Sequence, residues 1–258
     1  MKKLIAIVLV VALAVIGCSA LVACNNDEKT LQVYTNAGFA PFEYVDTNGK
    51  VVGVDIDIMN YIGKELGYKV IINDIEFKEI LNQVQGNKYA VGAAGMSKND
   101  ERDKVALSSV VYATSVQYVI APNGTFADNA VVTLDQLLAA ANKIGIQAGT
   151  TGQYLVEDYI DEKEGATNTT IEYTNAIVAS QDIGSTVAAV VIDELPAKAI
   201  ADSKSNLSCW KIDAEPESYV LYFNKFSEDL VKDVNAVLEK MIADGIINQF
   251  IINHSNGN

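Results

Sequence analysis

Gly92-Ala93-Ala94-Gly95-Met96-Ser97-Lys98-Asn99-Asp100-Glu101-Arg102 is the stretch from which the rest of the chain can be read. A short apolar run ends in Gly95-Met96-Ser97, and the polar segment behind it carries Arg102, the single arginine of the sequence. A chain that uses lysine elsewhere has a use for the flat guanidinium here, because only arginine grips a carboxylate through two parallel hydrogen bonds. Ser97 followed by Asp100 reads as a capping box, which predicts a helix start with free N–H groups near Ser97. Together these features describe a seat for an anion, most simply the carboxylate of a small ligand. The other reading is an arginine exposed on a helix face and paired with Asp100 or Glu101.

Outward from this segment the chain alternates strand and helix. Leu31 to Thr35 predicts a first strand, followed by a loop through Phe39 and Pro41, where Phe39 could contact ligand or pack in the core. Asn48-Gly49 predicts a tight turn between two short extended runs. Val54, Ile58, Ile62 and Leu66 fall at steps of four on one helix face, and Gly67 ends that helix. Tyr68 to Asn73 predicts a strand, Phe77 to Gln85 a helix, and Val91 to Ala94 a buried strand. Such alternation implies an α/β fold with a mostly parallel sheet and ligands near the carboxyl ends of its strands. Phe39, Ser97 and Arg102 all follow such ends, which favours the anion seat.

A long extended run, Ser115 to Ala121, stops at Pro122 and predicts a crossing into a second lobe where the alternation restarts. Lys143 to Gln147 predicts a strand, and Gly149-Thr150-Thr151-Gly152 a tight loop opening the helix Gln153 to Asp161. Such a loop aims N–H groups and a positive dipole end outward, although an ordinary threonine N-cap looks the same. Ala188 to Ile192 predicts a buried strand delivering Asp193, which could cap the next helix or offer its carboxylate to an ammonium group. Ser218 to Phe223 predicts the crossing back, and the apolar stripe from Leu230 to Met241 a closing helix.

The balance of 19 Lys+Arg against 33 Asp+Glu, a formal charge of −14, argues against nucleic acid as a partner. Half of the 258 residues are hydrophobic, enough for two lobes of ordinary size. The first residues read as a secretory signal: Lys2 and Lys3, an apolar run from Leu4 to Ile16, then Leu21-Val22-Ala23-Cys24. These last four match the bacterial lipobox, with Cys24 as the lipidated first residue of the mature chain. Val15-Ile16-Gly17-Cys18 fits the same pattern less well, and an uncleaved membrane anchor is the other reading. Cleavage removes two positive charges, taking −14 to −16. The expectation is an extracytoplasmic protein held on the outer face of the cell membrane by lipidated Cys24. Cys209 alone in the mature part and His254 alone in the chain leave no disulfide, metal set or Ser-His-Asp triad to expect, hence no metal, no cofactor and no catalytic residue.

Five ordered stretches, TNAGFAPFEY, VGVDIDIMNYIGKELG, GAAGMSKNDER, IGIQAGTTG and VVIDELPA, resemble the polar amino acid-binding proteins of ABC importers, the bacterial extracellular solute-binding proteins of family 3, over nearly the whole mature chain. The resemblance implies a two-lobed periplasmic-binding-protein-like fold of type II with two crossing hinge strands. It divides the chain into a signal peptide 1–23, a tether 24–30, lobe 1 from 31–116 plus 221–258, and lobe 2 from 117–220. It implies a monomer that captures one amino acid between the lobes and delivers it to an ABC permease. Phe39 and Phe77 would flank the ligand side chain. Gly95, Ser97 and Arg102 would hold its α-carboxylate with amides of Thr150 and Thr151, and Asp193 would take the α-ammonium. The chain departs from the family pattern at Ala90 and Ala188, where Asp is usual, at Ser109-Val110, where Asp-Pro is common, and in lacking a tryptophan near the C-terminus. Relatives that bind basic amino acids or glutamine often carry Asp at the position of Asn36. The neutral amide points to a neutral polar side chain such as glutamine, unless Glu43 faces the cleft and restores a negative charge. Two other expectations differ in class: a dehydratase with Glu43 as its acid, and a sensory module that presents bound amino acid to a receptor.

Overall fold

The computed structural model describes residues 29–255; Cys24, Cys18 and the signal segment lie outside them. In chain order the elements are β1 (Thr30–Thr35), the hairpin β2 (Tyr44–Val45) and β3 (Val51–Val52), α1 (Val54–Leu66), β4 (Lys69–Asp74), α2 (Ile80–Gly86), β5 (Ala90–Gly92), α3 (Asp100–Val105) and β6 (Leu107–Ser108). Then come β7 (Ala113–Ser115), β8 (Gln117–Pro122), β9 (Val131–Val132), α4 (Leu134–Ala140), β10 (Lys143–Gln147), α5 (Thr151–Glu162), β11 (Thr169–Tyr173) and α6 (Ala176–Gln181). The chain closes with β12 (Ala189–Asp193), α7 (Glu194–Asp202), β13 (Leu207–Ile212), β14 (Glu217–Tyr219), β15 (Tyr222–Phe223), α8 (Glu228–Ala243) and α9 (Ile246–Ser255).

Two sheets result, one per lobe. The first has the order β4-β1-β5-β15-β6, and the second β11-β10-β12-β8-β13-β9. β1 runs parallel to β4 and β5, and β10 parallel to β11 and β12, as strand–helix–strand alternation requires. The strands that follow the crossings, β8 and β15, enter their sheets antiparallel. Between the lobes, β7 and β14 pair antiparallel, with Ser115 opposite Glu217 and Ala113 opposite Tyr219. The expected long strands are therefore each broken, at Val116 and at Val220-Leu221, so that their first parts form the crossing ribbon and their second parts a sheet.

Burial follows the apolar periodicities. Val54, Ile58 and Ile62 of α1 are fully buried, beside Leu31 and Val33 of β1 and the stripe Val234, Leu238 and Met241 of α8. Gly67 ends α1 in the left-handed conformation, its N–H donating to the Gly63 carbonyl. In the second lobe, Val119, Leu137, Ile144, Ile146 and Trp210 form the centre of a separate core. At roughly 1.5–3 kcal/mol per fully buried aliphatic side chain, these two clusters make each lobe a stable platform for what projects from its strand ends. Among the described residues no helix is long and apolar enough to cross a membrane.

Two local expectations need correction. Ser97 does not cap a helix: α3 starts later, at Asp100, where the Asn99 side chain accepts from Arg102 N–H at 2.8 Å. Both residues are good caps, and the Ser97 hydroxyl has an acceptor elsewhere. The segment from Phe77 begins as a 3-10 turn (Phe77–Glu79) before α2 takes over. His254 lies in α9, with its ring nitrogens 3.1 Å from Tyr44 Oη and 2.9 Å from Asp57 Oδ2.

Candidate functional site

The carboxyl ends of β1, β5, β10 and β12 face one another across the gap between the lobes, where side chains from both line one cavity. Phe39 and Glu43 come from the loop after β1, and Gly95, Ser97 and Arg102 from the segment after β5. The far wall holds Gln147, Thr150 and Thr151 after β10, and Asp193 at the end of β12. Phe77 lies at the edge, with the Arg102 guanidinium 5.3 Å from its ring centre. Gly95 has φ 53°, and a Cβ there would stand 2.5 Å from the Phe39 ring, so only glycine lets the aromatic ring and the anion segment share this corner.

Arg102 is 6% exposed and makes no pair with Asp100 or Glu101. Its Nη1 donates to the Ser97 carbonyl at 2.7 Å, and its Nη2 reaches across the lobes to the Gly149 carbonyl at 3.1 Å. Burial lowers its pKa, and the charges of Glu217 and Asp193 act in the opposite sense. Opposite stands the start of α5. The Thr150 hydroxyl accepts from Gln153 N–H at 3.2 Å, making Thr150 the N-cap, while Thr151 and Gly152 carry N–H groups that have no partner inside the helix.

Asp193 leads into α7 but makes no side-chain cap bond. Its carboxylate accepts from Tyr219 Oη at 2.5 Å and from Gln117 Nε2. Burial first, then the charge of Glu217, pushes its pKa up to about 8. Glu43 is also wholly buried; burial and the charges of Asp55, Asp193 and Asp74 hold it well above the usual carboxylate range. Its Oε2 has no hydrogen-bond partner among the described residues, and neither has Gln117 Oε1. A cavity wall with one cation, two carboxyl groups reluctant to ionise, and unpartnered acceptors suits a ligand that brings a positive group of its own.

Eight of the nine positions singled out from sequence line this one cavity: Phe39, Phe77, Gly95, Ser97, Arg102, Thr150, Thr151 and Asp193. Asn36 stands just behind it. Its side chain donates to the Ile75 carbonyl at 2.7 Å and accepts from Gln147 Nε2 at 2.9 Å, a bond that joins the lobes. Glu43 does reach the cavity. Sequence reasoning missed Gln147, Gln117 and Glu217. Gln147 ends β10, two positions before Gly149, and was within reach of the strand-end argument. Gln117 lines the cavity from the start of β8, and Glu217, on the crossing strand β14, bonds to the lining residues Ser97, Gln117 and Thr151; no local pattern marks either position.

The sequence model of the bacterial extracellular solute-binding proteins, family 3, matches residues 31–254. The chain belongs to this family. Among its relatives, the "Probable histidine-binding protein" of Neisseria gonorrhoeae is 28% identical over 95% of this chain and 92% of its own length. The solute-binding protein AbpA of Streptococcus pneumoniae, solved bound to L-arginine, superposes with a TM-score of 0.79 at 26% identity, covering 88% of this chain and 94% of its own. An ancestral arginine-binding protein solved bound to glutamine superposes with a TM-score of 0.78 at 29% identity, covering 88% of this chain and 98% of its own. The family-3 fold is two-lobed, in agreement with the two sheets and the crossing ribbon described above.

Proposed function

We propose that this family-3 protein captures an L-amino acid between its lobes and hands it to an ABC permease. In this reading Arg102, Ser97 and Gly95 hold the α-carboxylate together with the first amides of α5 at Thr150 and Thr151. Asp193 takes the α-ammonium, Phe39 and Phe77 flank the side chain, and Asn36 acts from behind through Gln147. The observation that carries the reading is the opposition of a buried guanidinium on one wall and a buried, cation-seeking carboxylate on the other. A zwitterion is the smallest ligand that satisfies both. The division at 116/117 and 220/221 accompanies this reading, as do the lipid anchor at Cys24, the monomeric state and the location on the outer face of the cell membrane. Transport is preferred to ligand presentation or to dehydration with Glu43 as acid, because relatives of matching length are described as binding proteins.

For the ligand side chain, the position of Glu43 on the cavity wall moves the reading from glutamine towards a basic amino acid. A carboxyl with an unpartnered oxygen gains most from a cation. Glutamine remains the second reading, favoured by the relative solved with glutamine bound. A thermal-shift screen against the twenty amino acids and cystine tests both, since a ligand at a hundred times its Kd stabilises by about 2.7 kcal/mol. L-arginine or L-histidine should raise the melting temperature most. A largest shift with L-glutamine selects the second reading, and no shift with any of them removes the function.

A further inference from the structure

The side chain that binds the cleft's hydroxyl donors in this structure is Glu217, on the crossing strand β14. Its Oε2 accepts from the Ser97 hydroxyl of lobe 1 and, at 2.6 Å, from the Thr151 hydroxyl of lobe 2. Its Oε1 accepts from Gln117 Nε2 at 3.0 Å, the same nitrogen that donates to Asp193. One carboxylate thus collects donors from both walls and from the hinge, which is what the α-carboxylate of a bound amino acid is proposed to do.

Each hydroxyl has a single proton to give. A ligand carboxylate that takes the Ser97 proton must therefore deprive Glu217 of it, and one seated on the Thr151 amide lies beside the Glu217 carboxylate bonded to the hydroxyl of the same residue, so the two repel. The backbone of Glu217 is fixed by its pairing with Ser115, but its side chain is only half-buried. We propose that Glu217 is a specificity-determining residue: its carboxylate contests the seat of the ligand's α-carboxylate, lowering affinity for amino acids relative to the same molecules without that group. The proposal rests on the amino-acid reading of the cleft. The competition reduces apparent affinity by the fraction of molecules in which Glu217 has left the seat. It also predicts that a basic amine without a carboxylate, which leaves Glu217 in place, binds this cleft better than a site built for zwitterions alone would allow.

The test is a double comparison by calorimetry on the mature chain, wild type and Glu217→Gln, each titrated with L-arginine and its decarboxylated counterpart agmatine. L-histidine and histamine serve as a second pair. Removing the Glu217 charge changes the attraction for the ligand's cationic groups alike within a pair, so the affinity ratio of acid to amine isolates the contest for the carboxylate seat. The ratio should rise about tenfold in Glu217→Gln, the gain expected if the seat is free in roughly a tenth of wild-type molecules. If the variant does not fold, Glu217→Asp, which retains the charge but withdraws it from the two hydroxyls, should raise the ratio in the same sense. An unchanged or lower ratio, with the amino acid still bound by wild type, overturns the proposal alone and makes Glu217 a partner of the ligand's ammonium. Binding of neither pair by either protein removes the basic-amino-acid reading and the proposal with it.

Discussion

Asp55 and Asp193 are two wholly buried aspartates at helix starts, each accepting one tyrosine hydroxyl and one N–H group, yet they do different work. Asp55 accepts from Tyr112 Oη at 2.7 Å and from the Gly95 backbone at 2.8 Å. Burial raises its pKa to about 6, and both hydrogen bonds pull it back. Asp193 also has two donors, but the charge of Glu217 adds to burial and pushes it to about 8. Asp55 is a strut that fixes the Gly95 corner to α1 within one lobe. Asp193, on the cavity wall beside a second carboxylate, is left with a demand for positive charge. Hydrogen-bond satisfaction alone does not separate structural from binding carboxylates; the neighbouring charge does.

The largest test removes the opposite pole. Arg102→Ala should weaken binding of the best amino acid by on the order of 3–5 kcal/mol, because a buried carboxylate would lose its only full countercharge. Calorimetry would read this as a loss of measurable binding at micromolar ligand. Unchanged affinity would remove Arg102 from the site and with it the reason to place Asp193 at the other end.

A smaller effect sharpens the contrast through pH. A carboxyl raised from 3.8 to about 8 by folding holds a proton that the unfolded chain has lost, so its contribution to stability is present below pH ~4 and disappears as pH rises through 8. Asp55 contributes in the same sense, up to about 6. The free protein should therefore lose stability from these groups between pH 5 and pH 8. Ligand binding should show the reverse trend. An ammonium group favours ionised Asp193, so below pH ~8 binding expels a proton and affinity rises with pH, by at most about tenfold per unit. In Asp193→Asn this slope should vanish, along with most of the affinity, leaving only what Glu43 contributes. A slope unchanged in that variant would assign the titration to Glu43 instead.

How far the sequence foretold this site depends on where each residue sits. Arg102, Thr150 and Asp193 each follow a buried strand in a strand–helix alternation, so the rule that ligands gather at carboxyl strand ends located them before any geometry was known. Glu43 was legible as a condition: it mattered only if it faced the cleft. Gln117 and Glu217 were not legible, because Gln117 comes to the cavity through its pairing with Asp193, and Glu217 comes beside it through the pairing of β7 with β14, contacts between residues distant in sequence. The cap was misread for a reason distant in sequence. Ser97 and Asn99 both precede the helix, and what decides between them is the carboxylate of Glu217, which draws the Ser97 hydroxyl away.

The smallest effect falls on the strut itself. Asp55→Asn keeps the shape but replaces a charged acceptor by a neutral one and adds an NH2 group where two donors already point at the side chain. One of the two bonds must weaken, and the loss should be about 1–2 kcal/mol of unfolding free energy, read by urea denaturation at pH 7. The same substitution removes a carboxyl whose pKa burial raises to about 6, so part of the cost is offset at pH 8 and the variant should compare more favourably with wild type there than at pH 5. Affinity should fall less than in Asp193→Asn, and the order of preference among amino acids should stay the same, since Asp55 acts on the ligand only through the placement of Gly95. A changed order of preference would mean that the charge of Asp55 is felt in the cleft, and the two aspartates would then differ in degree rather than in kind.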